Sequence, residues 1–232
     1  MRAREFILLE ATKLPNENSI DSPIAHTEED LYDFWTWFNG SKVVDDRGRP
    51  LVVHHGTPSG GFTEFDMDKV SDNTLMTKQG PGVYFTDEKN ARQYMKAVNK
   101  SKGQRAQLYS VYLNIKNPLV ITGKSSVIDL NAIYNLFLHG DDEWFFSNWI
   151  PFDTKISKEA TKEEKASAYV KSLSSSWEQD IKFLQNIVRA YKNKALMFDN
   201  MRQFLKADGV EFTDNYGKIY VAWNSNQVKI MK

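Results

Sequence analysis

The chain has 232 residues, 41% of them hydrophobic, with 30 basic against 30 acidic side chains and no cysteine, enough for one principal domain with a sizeable core. Charge balance removes the electrostatic footprint that nucleic acid or an anionic membrane surface would call for, so neither is expected as a partner. The lack of cysteine excludes disulfides, thiolate metal sites and cysteine nucleophiles together, and suits a reducing, cytoplasmic setting. No apolar run approaches the roughly 18 to 20 residues of a membrane span, and the start Met1 to Phe6 lacks the apolar stretch of a signal peptide.

In chain order, Arg2 to Ala11 reads as a short helix, and Lys13 to Ala25, rich in Pro, Asn, Ser and Asp, as a flexible linker. Residues 1–26 are therefore set apart from a domain spanning 27–232. Thr27 offers an N-cap hydroxyl ahead of Glu28, Glu29 and Asp30, and Leu31, Phe34, Trp35 and Phe38 follow at helical spacing before Asn39-Gly40 stops the helix. A turn at Asp45 to Gly48 leads to a β-branched strand, Leu51-Val52-Val53, that delivers His54 and His55 at its end. After Thr57 the chain loosens through Pro58 to Gly61.

Gly80-Pro81-Gly82 launches a second strand, Gly82 to Thr86, that runs into a helix capped by Thr86 or Asp87, with Ala91, Tyr94, Met95 and Val98 on one face. Leu108 to Ile115 alternates as a strand does, and Asn117-Pro118 turns it into another, Leu119 to Ile121. From about 125 to 207 the pattern is helical, with Trp177, Ile181, Leu184, Val188 and Tyr191 recurring at steps of four and three. Three closing strands, Gly209 to Thr213, Ile219 to Trp223 and Gln227 to Ile230, complete an α+β chain without internal repeats.

Five short features occur in order: Val44 to Gly48, His55-Gly56-Thr57, Phe62 to Asp66, Gly82 to Asp87 and Asn117 to Val120, with the terminal run Tyr220 to Lys229 behind them. Together they resemble the ADP-ribosyltransferase superfamily on its poly(ADP-ribose)-polymerase-like or diphtheria-toxin-like side, and most closely the transferase domains of phage and mobile-element polyvalent proteins. The resemblance implies an ADP-ribosyltransferase-like split antiparallel β-sheet core with flanking helices, the region of about 125 to 207 being a helical insertion. It implies NAD as cosubstrate and no metal.

By the same resemblance His55 holds a ribose hydroxyl, and Gly56 offers its backbone N–H and C=O to the nicotinamide amide, with Thr57 beside it. Tyr84 packs on the nicotinamide ribose with Phe85 following, and Tyr94 stacks on the ring. Cleaving nicotinamide from ribose develops positive charge on the sugar, which a preorganised site must favour. Poly(ADP-ribose) polymerases place a glutamate at the head of the last long strand for this purpose, and matching Tyr220 to Trp223 to that strand puts Ile219 there. Loss of such a group costs about 10²- to 10³-fold in rate, so the implied activity is transfer of a single ADP-ribose. Glu211 or Gln227 takes the third catalytic role if the register differs. The implied acceptor is a host protein, and the implied setting the host cytoplasm, reached as a toxin-like effector or in a phage virion, with the N-terminal segment as a virion or homo-oligomer contact.

Plainer readings stand beside these. His55 is otherwise a strand-end histidine, and Tyr84 and Tyr94 core aromatics. The pair His54-His55 makes a poor metal site, since neighbours on a strand point to opposite faces. The run Lys158 to Lys165 reads as a solvated helix face, and Trp144, Phe145, Phe146, Trp149 and Phe152 as core or as an interface patch. The rival functions are an NAD glycohydrolase, in which water replaces the acceptor, and a catalytically silent binding or virion protein that keeps the fold.

Overall fold

In a computed structural model of the chain, the described residues are 14–67, 80–98, 106–141, 159–173, 176–214 and 217–231. The helix expected over Arg2 to Ala11 and the aromatic run Trp144 to Phe152 lie outside them. In chain order the elements are α1 (Glu28–Phe38), β1 (Val53–Thr57), β2 (Val83–Phe85), α2 (Glu88–Val98), β3 (Gln107–Leu113), β4 (Pro118–Ile121), α3 (Leu130–Leu138), α4 (Lys162–Ser172), α5 (Trp177–Ile187), α6 (Lys194–Leu205), β5 (Gly209–Asp214), β6 (Gly217–Ala222) and β7 (Val228–Ile230). The class is α+β, as expected. Contacts gather these elements into two compact units, one of residues 1–65, 85–117 and 225–232, the other of residues 66–84 and 118–224.

The first unit is built on an antiparallel sheet in the order β1-β3-β7. Helix α1 starts where Thr27 accepts the Asp30 N–H at 3.1 Å, with three carboxylates in its first turn favouring the helix dipole. Its buried stripe of Leu31, Phe34 and Phe38 follows the expected spacing, and Phe34 and Phe38 pack with Val52 and Tyr112. Residues 14–25 carry no helix and form no strand, yet their polar side chains are engaged. Asn18 is fully buried; its amide donates to the Tyr112 hydroxyl (2.8 Å) and its carbonyl accepts the N–H groups of Ile20 (3.0 Å) and Ser22 (3.1 Å). Arg49 reaches back to Asp21 (2.5 Å) and Glu17 (3.2 Å) while also pairing with Asp45 (2.8 Å).

Strand β1 begins two residues later than the sequence suggests and runs through Thr57, paired with β3 from Val53↔Val111 to Thr57↔Gln107. His55 thus sits in mid-strand, not at a strand end. The extension is possible because Gly56 carries no side chain: helix α2 packs on β1, and a Cβ at Gly56 would overlap the Ala91 carbonyl oxygen and stand 3.2 Å from the Met95 Cβ.

The second unit carries a four-stranded sheet in the order β2-β6-β5-β4. The expected split core is present as two sheets, antiparallel in the first and mixed in the second, where β5 pairs antiparallel with β6 while β4 runs parallel to β5 from Pro118↔Gly209 to Ile121↔Phe212. The chain goes from β4 to β5 through α3 to α6, the long crossover that a parallel pair requires. Those helices supply most of a large apolar core: Ile133, Leu136 and Phe137 of α3, Phe183, Leu184 and Ile187 of α5, and Met197, Phe198 and Met201 of α6 close on Ile121, Val210, Phe212 and Val221 of the sheet. At Gly80, where φ is +97°, a Cβ would meet that of Leu184 at 2.7 Å, so the turn before β2 requires glycine on both counts.

Candidate active site

The two adjacent histidines part company at once. Val53, His55 and Thr57 alternate with His54 and Gly56 along β1, so the two sets face opposite sides of the first sheet. His54 lies on the side of α2: its Nδ1 is 3.1 Å from the Ser110 Oγ, and burial lowers its pKa, against the opposing pull of Glu88. His55 lies on the other side, edge-on to Phe65 (centroids 5.2 Å apart) and tilted against Phe85 (5.7 Å).

Backbone hydrogen bonding then fixes where Gly56 points. His54 donates its N–H to the Thr86 carbonyl (2.7 Å) and accepts the Thr86 N–H (3.0 Å). In an antiparallel ladder successive residues turn their amide groups alternately to one neighbour and the other, so His54 uses the edge of β1 away from β3. Gly56, two residues on, directs its N–H and C=O to that same edge. One residue thereby presents a donor and an acceptor side by side, the complement of a primary carboxamide.

Of the neighbouring residues, Thr57 is buried, its Oγ1 accepting the Ser59 N–H at 3.2 Å in a turn that ends the strand. Phe85 is fully buried, and its ring backs the His55 imidazole. The helix that follows is opened by Asp87, whose carboxylate accepts the Asn90 N–H at 2.9 Å. On it Ala91 is buried and Met95 half-buried, but Tyr94 is 45% exposed and not a full member of the buried stripe. Tyr94 adjoins Met95, whose Cβ abuts Gly56, and partial burial raises its phenol pKa.

In the second unit Tyr84 of β2 and Ile219 of β6 stand on adjacent strands. Both are half-buried and border the same core cluster as Phe212 and Val221, so they share one face of the sheet. The Tyr84 hydroxyl donates to the Gly80 carbonyl. Glu211 takes the opposite face: it pairs across the ladder with Tyr220 and holds Lys218 at 2.8 Å, whereas Ile219 pairs with Phe212. Gln227 belongs to the first unit, buried in the turn Ser225–Gln227, where its carbonyl accepts the Asn114 N–H. Glu211 therefore does not stand on the face shared by Tyr84 and Ile219.

Sequence reasoning missed the residues that hold His55 from behind. Phe65, Phe62 and Tyr109 form one aromatic cluster with Phe85: Phe62 stacks on Tyr109 at 4.3 Å, and Phe65 meets Tyr109 at 5.7 Å and Phe85 at 5.3 Å. The run Phe62 to Asp66 was visible as a motif, and its two aromatic residues three apart were the available signal. Among the described residues no group of three or more His, Asp or Glu side chains is placed to hold a metal ion, and no helix is long and apolar enough to cross a membrane.

No curated protein and no solved structure matches the chain. A family model described as "ADP-Ribosyltransferase in polyvalent proteins" matches residues 45–232, which takes in β1, both sheets and every motif quoted above from Asp45 onward. A histidine-glycine strand with a carboxamide-complementary edge, the strand that carries Tyr84 with the helix after it, and the sheet of β6 are what that match spans, and so the chain belongs to the family of ADP-ribosyltransferase domains of polyvalent proteins.

Proposed function

We propose that this domain transfers one ADP-ribose from NAD, the substrate of its family, to a macromolecular acceptor that is a host protein. The bond between the nicotinamide nitrogen and the ribose C1 breaks and nicotinamide leaves with the electron pair. An acceptor nucleophile forms the new bond at C1 and gives up a proton. The observation that carries this reading is the paired N–H and C=O of Gly56 on the outer edge of β1, next to the His55 imidazole. A primary carboxamide binds such an edge through two parallel hydrogen bonds, which fixes the leaving group in one orientation. His55 then holds a ribose hydroxyl, with Thr57 and Phe85 shaping the strand around it, while Tyr94 stacks on the nicotinamide ring. Tyr84 takes the nicotinamide ribose by its place in the family motif.

Ile219 argues for a single transfer. An aliphatic side chain cannot polarise a ribose hydroxyl, and Glu211, next along β5 to the Phe212 that pairs with Ile219, is ion-paired on the other face. The same residue favours a second reading, a domain that keeps the fold and binds NAD but does not turn it over. Carriage in a phage virion, action in the host cytoplasm and a virion or homo-oligomer contact through the N-terminal segment, residues 1–26, complete the proposal.

The test is incubation of the purified protein with NAD labelled in the adenylate and a host lysate, following both protein-attached label and free nicotinamide. Labelled protein that disappears in His55→Ala supports the transferase. Nicotinamide release without labelled protein shows a glycohydrolase, and NAD binding without turnover the silent domain. No NAD binding overturns the reading of Gly56 and His55.

A further inference from the structure

We propose that Tyr109, a residue with no place in the motifs of the family as they appear in this chain, is a positioning residue for His55. It acts by clasping the segment that carries Phe65. The proposal rests on the assignment of His55 to NAD binding, but its geometry stands apart from that assignment.

Tyr109 lies on β3 directly opposite His55 and is buried. A tyrosine hydroxyl can donate one hydrogen bond and accept two, and all three are used. It accepts the N–H of Gly61 at 2.9 Å and of Phe62 at 3.1 Å, and donates to the Gln107 Oε1 at 3.0 Å. That same Oε1 also accepts the Gly61 N–H, at 2.8 Å. The ring below the hydroxyl stacks with Phe62 and meets Phe65 edge-on. Phe65 in turn presents its ring edge-on to His55 and to Phe85.

The chain after β1 is thus pinned back onto β3 by the Tyr109 hydroxyl and the Gln107 amide beside it, and what is pinned is the segment whose Phe65 ring packs against the imidazole. Loops held by so few bonds open locally at low cost, so removing the hydroxyl loosens residues 61–65 without emptying the core. An imidazole that has lost a packed wall samples more rotamers, and binding must then restrict it again. A residue that served only to fill the core would leave His55 and NAD affinity unchanged when its hydroxyl alone is removed.

The experiment is Tyr109→Phe, which keeps the stacked ring, read by the NMR signals of the His55 imidazole without ligand and by NAD affinity. The expected result is a shifted and broadened His55 signal and NAD affinity weaker by about fivefold, the size of one net hydrogen bond. An unmoved signal with wild-type affinity overturns the proposal. Gln107→Ala, which removes a partner of both the hydroxyl and Gly61 but spares the aromatic cluster, must change the same readouts in the same direction by about twofold, and its failure to do so is equally fatal. If Tyr109→Phe does not fold, Gln107→Ala decides alone. Should the wild-type protein bind no NAD while the His55 signal still moves in Tyr109→Phe, the positioning role stands and the functional assignment falls.

Discussion

The two units combine apolar packing and buried hydrogen bonds in different proportion. In the first, polar groups are buried and satisfied: Asn18 meets the Tyr112 hydroxyl and the Tyr109 hydroxyl takes the backbone of residues 61–62, partners far apart in sequence, while Asn18 also accepts the nearby Ile20 and Ser22 N–H groups. In the second, Asp180 and Asn200 are buried and hydrogen-bonded too, but a broad aliphatic and aromatic cluster from four helices covers one sheet face and dominates. Buried hydrogen-bonded groups fix a single arrangement because any slip leaves a donor unpaired, whereas an apolar core of suitable volume tolerates repacking. The unit holding His55 and Gly56 is therefore the one expected to respond to single-atom changes.

The largest such response belongs to Gly56. In Gly56→Ala the new methyl collides with the backbone carbonyl of Ala91, which cannot rotate away as a side-chain tip would. Loss of at least about 3 kcal/mol of stability, or failure to fold, is expected in urea or thermal unfolding. Near-wild-type stability would mean that α2 does not close on β1 as described. His55→Ala, by contrast, removes a half-buried ring bordered by Phe65 and Phe85, so it should keep the fold and lose NAD-dependent labelling by about 10²-fold or more. Retained labelling in a folded variant would remove His55 from the site.

These two residues also show where the sequence was legible. His55-Gly56-Thr57 and Gly82 to Asp87 declare themselves because a strand feeding a turn or a helix is a local pattern, and α1 is written in the spacing of Leu31, Phe34 and Phe38. Partition into sheets is not local. β3 and β4 are consecutive yet belong to different sheets, and β7 returns to β3 after more than a hundred intervening residues. Likewise the anchoring of Gly61 and Phe62 by Tyr109 joins positions with nothing in common but their place in the fold. The composition of Lys13 to Ala25 reads as linker because Asn and Ser are common in linkers. The same amides nonetheless tie this segment down, Asn16 by bonds at the surface and Asn18 by bonds from a buried position. Tyr94 shared the helical spacing of Ala91 and Met95, but the contact stripe on α2 is narrow and leaves the phenol half outside.

Asn18→Ala sharpens the comparison from the polar side. It removes the buried hydrogen bond to the Tyr112 hydroxyl and the acceptor of the part-buried Ile20 and Ser22 N–H groups, and about 2 kcal/mol of destabilisation is expected in chemical denaturation. A cost under about 0.5 kcal/mol would show that residues 14–25 contribute little to the first unit. Ile219→Glu tests the apolar side and the chemistry together. The position borders the apolar core but is half-exposed, so a carboxylate is expected to cost about 1 kcal/mol of stability while raising NAD turnover by up to about 10²-fold. An unchanged turnover in a folded variant would show that β6 does not supply the third catalytic group.

The smallest effect expected is one of pH, and it again falls on the first unit. Burial holds the pKa of His54 below its ordinary value of 6.5, so the folded protein favours the neutral ring that meets Ser110. Between the lowered folded value and 6.5 the unfolded chain binds more protons than the folded one. Stability from this group is therefore complete above 6.5, is lost as pH falls below it, and stops falling once the folded ring is itself protonated. Glu88 and Asp87 oppose the shift, Glu88 foremost, while Arg92 adds to it. Melting temperature measured from pH 7.5 to 5 should decline less steeply in His54→Gln than in the wild type, and Glu88→Gln should steepen the wild-type decline by removing the carboxylate that helps the charged ring. Parallel curves for all three proteins would mean that His54 titrates alike folded and unfolded, and that the face of β1 under α2 is as open to water as the unfolded chain.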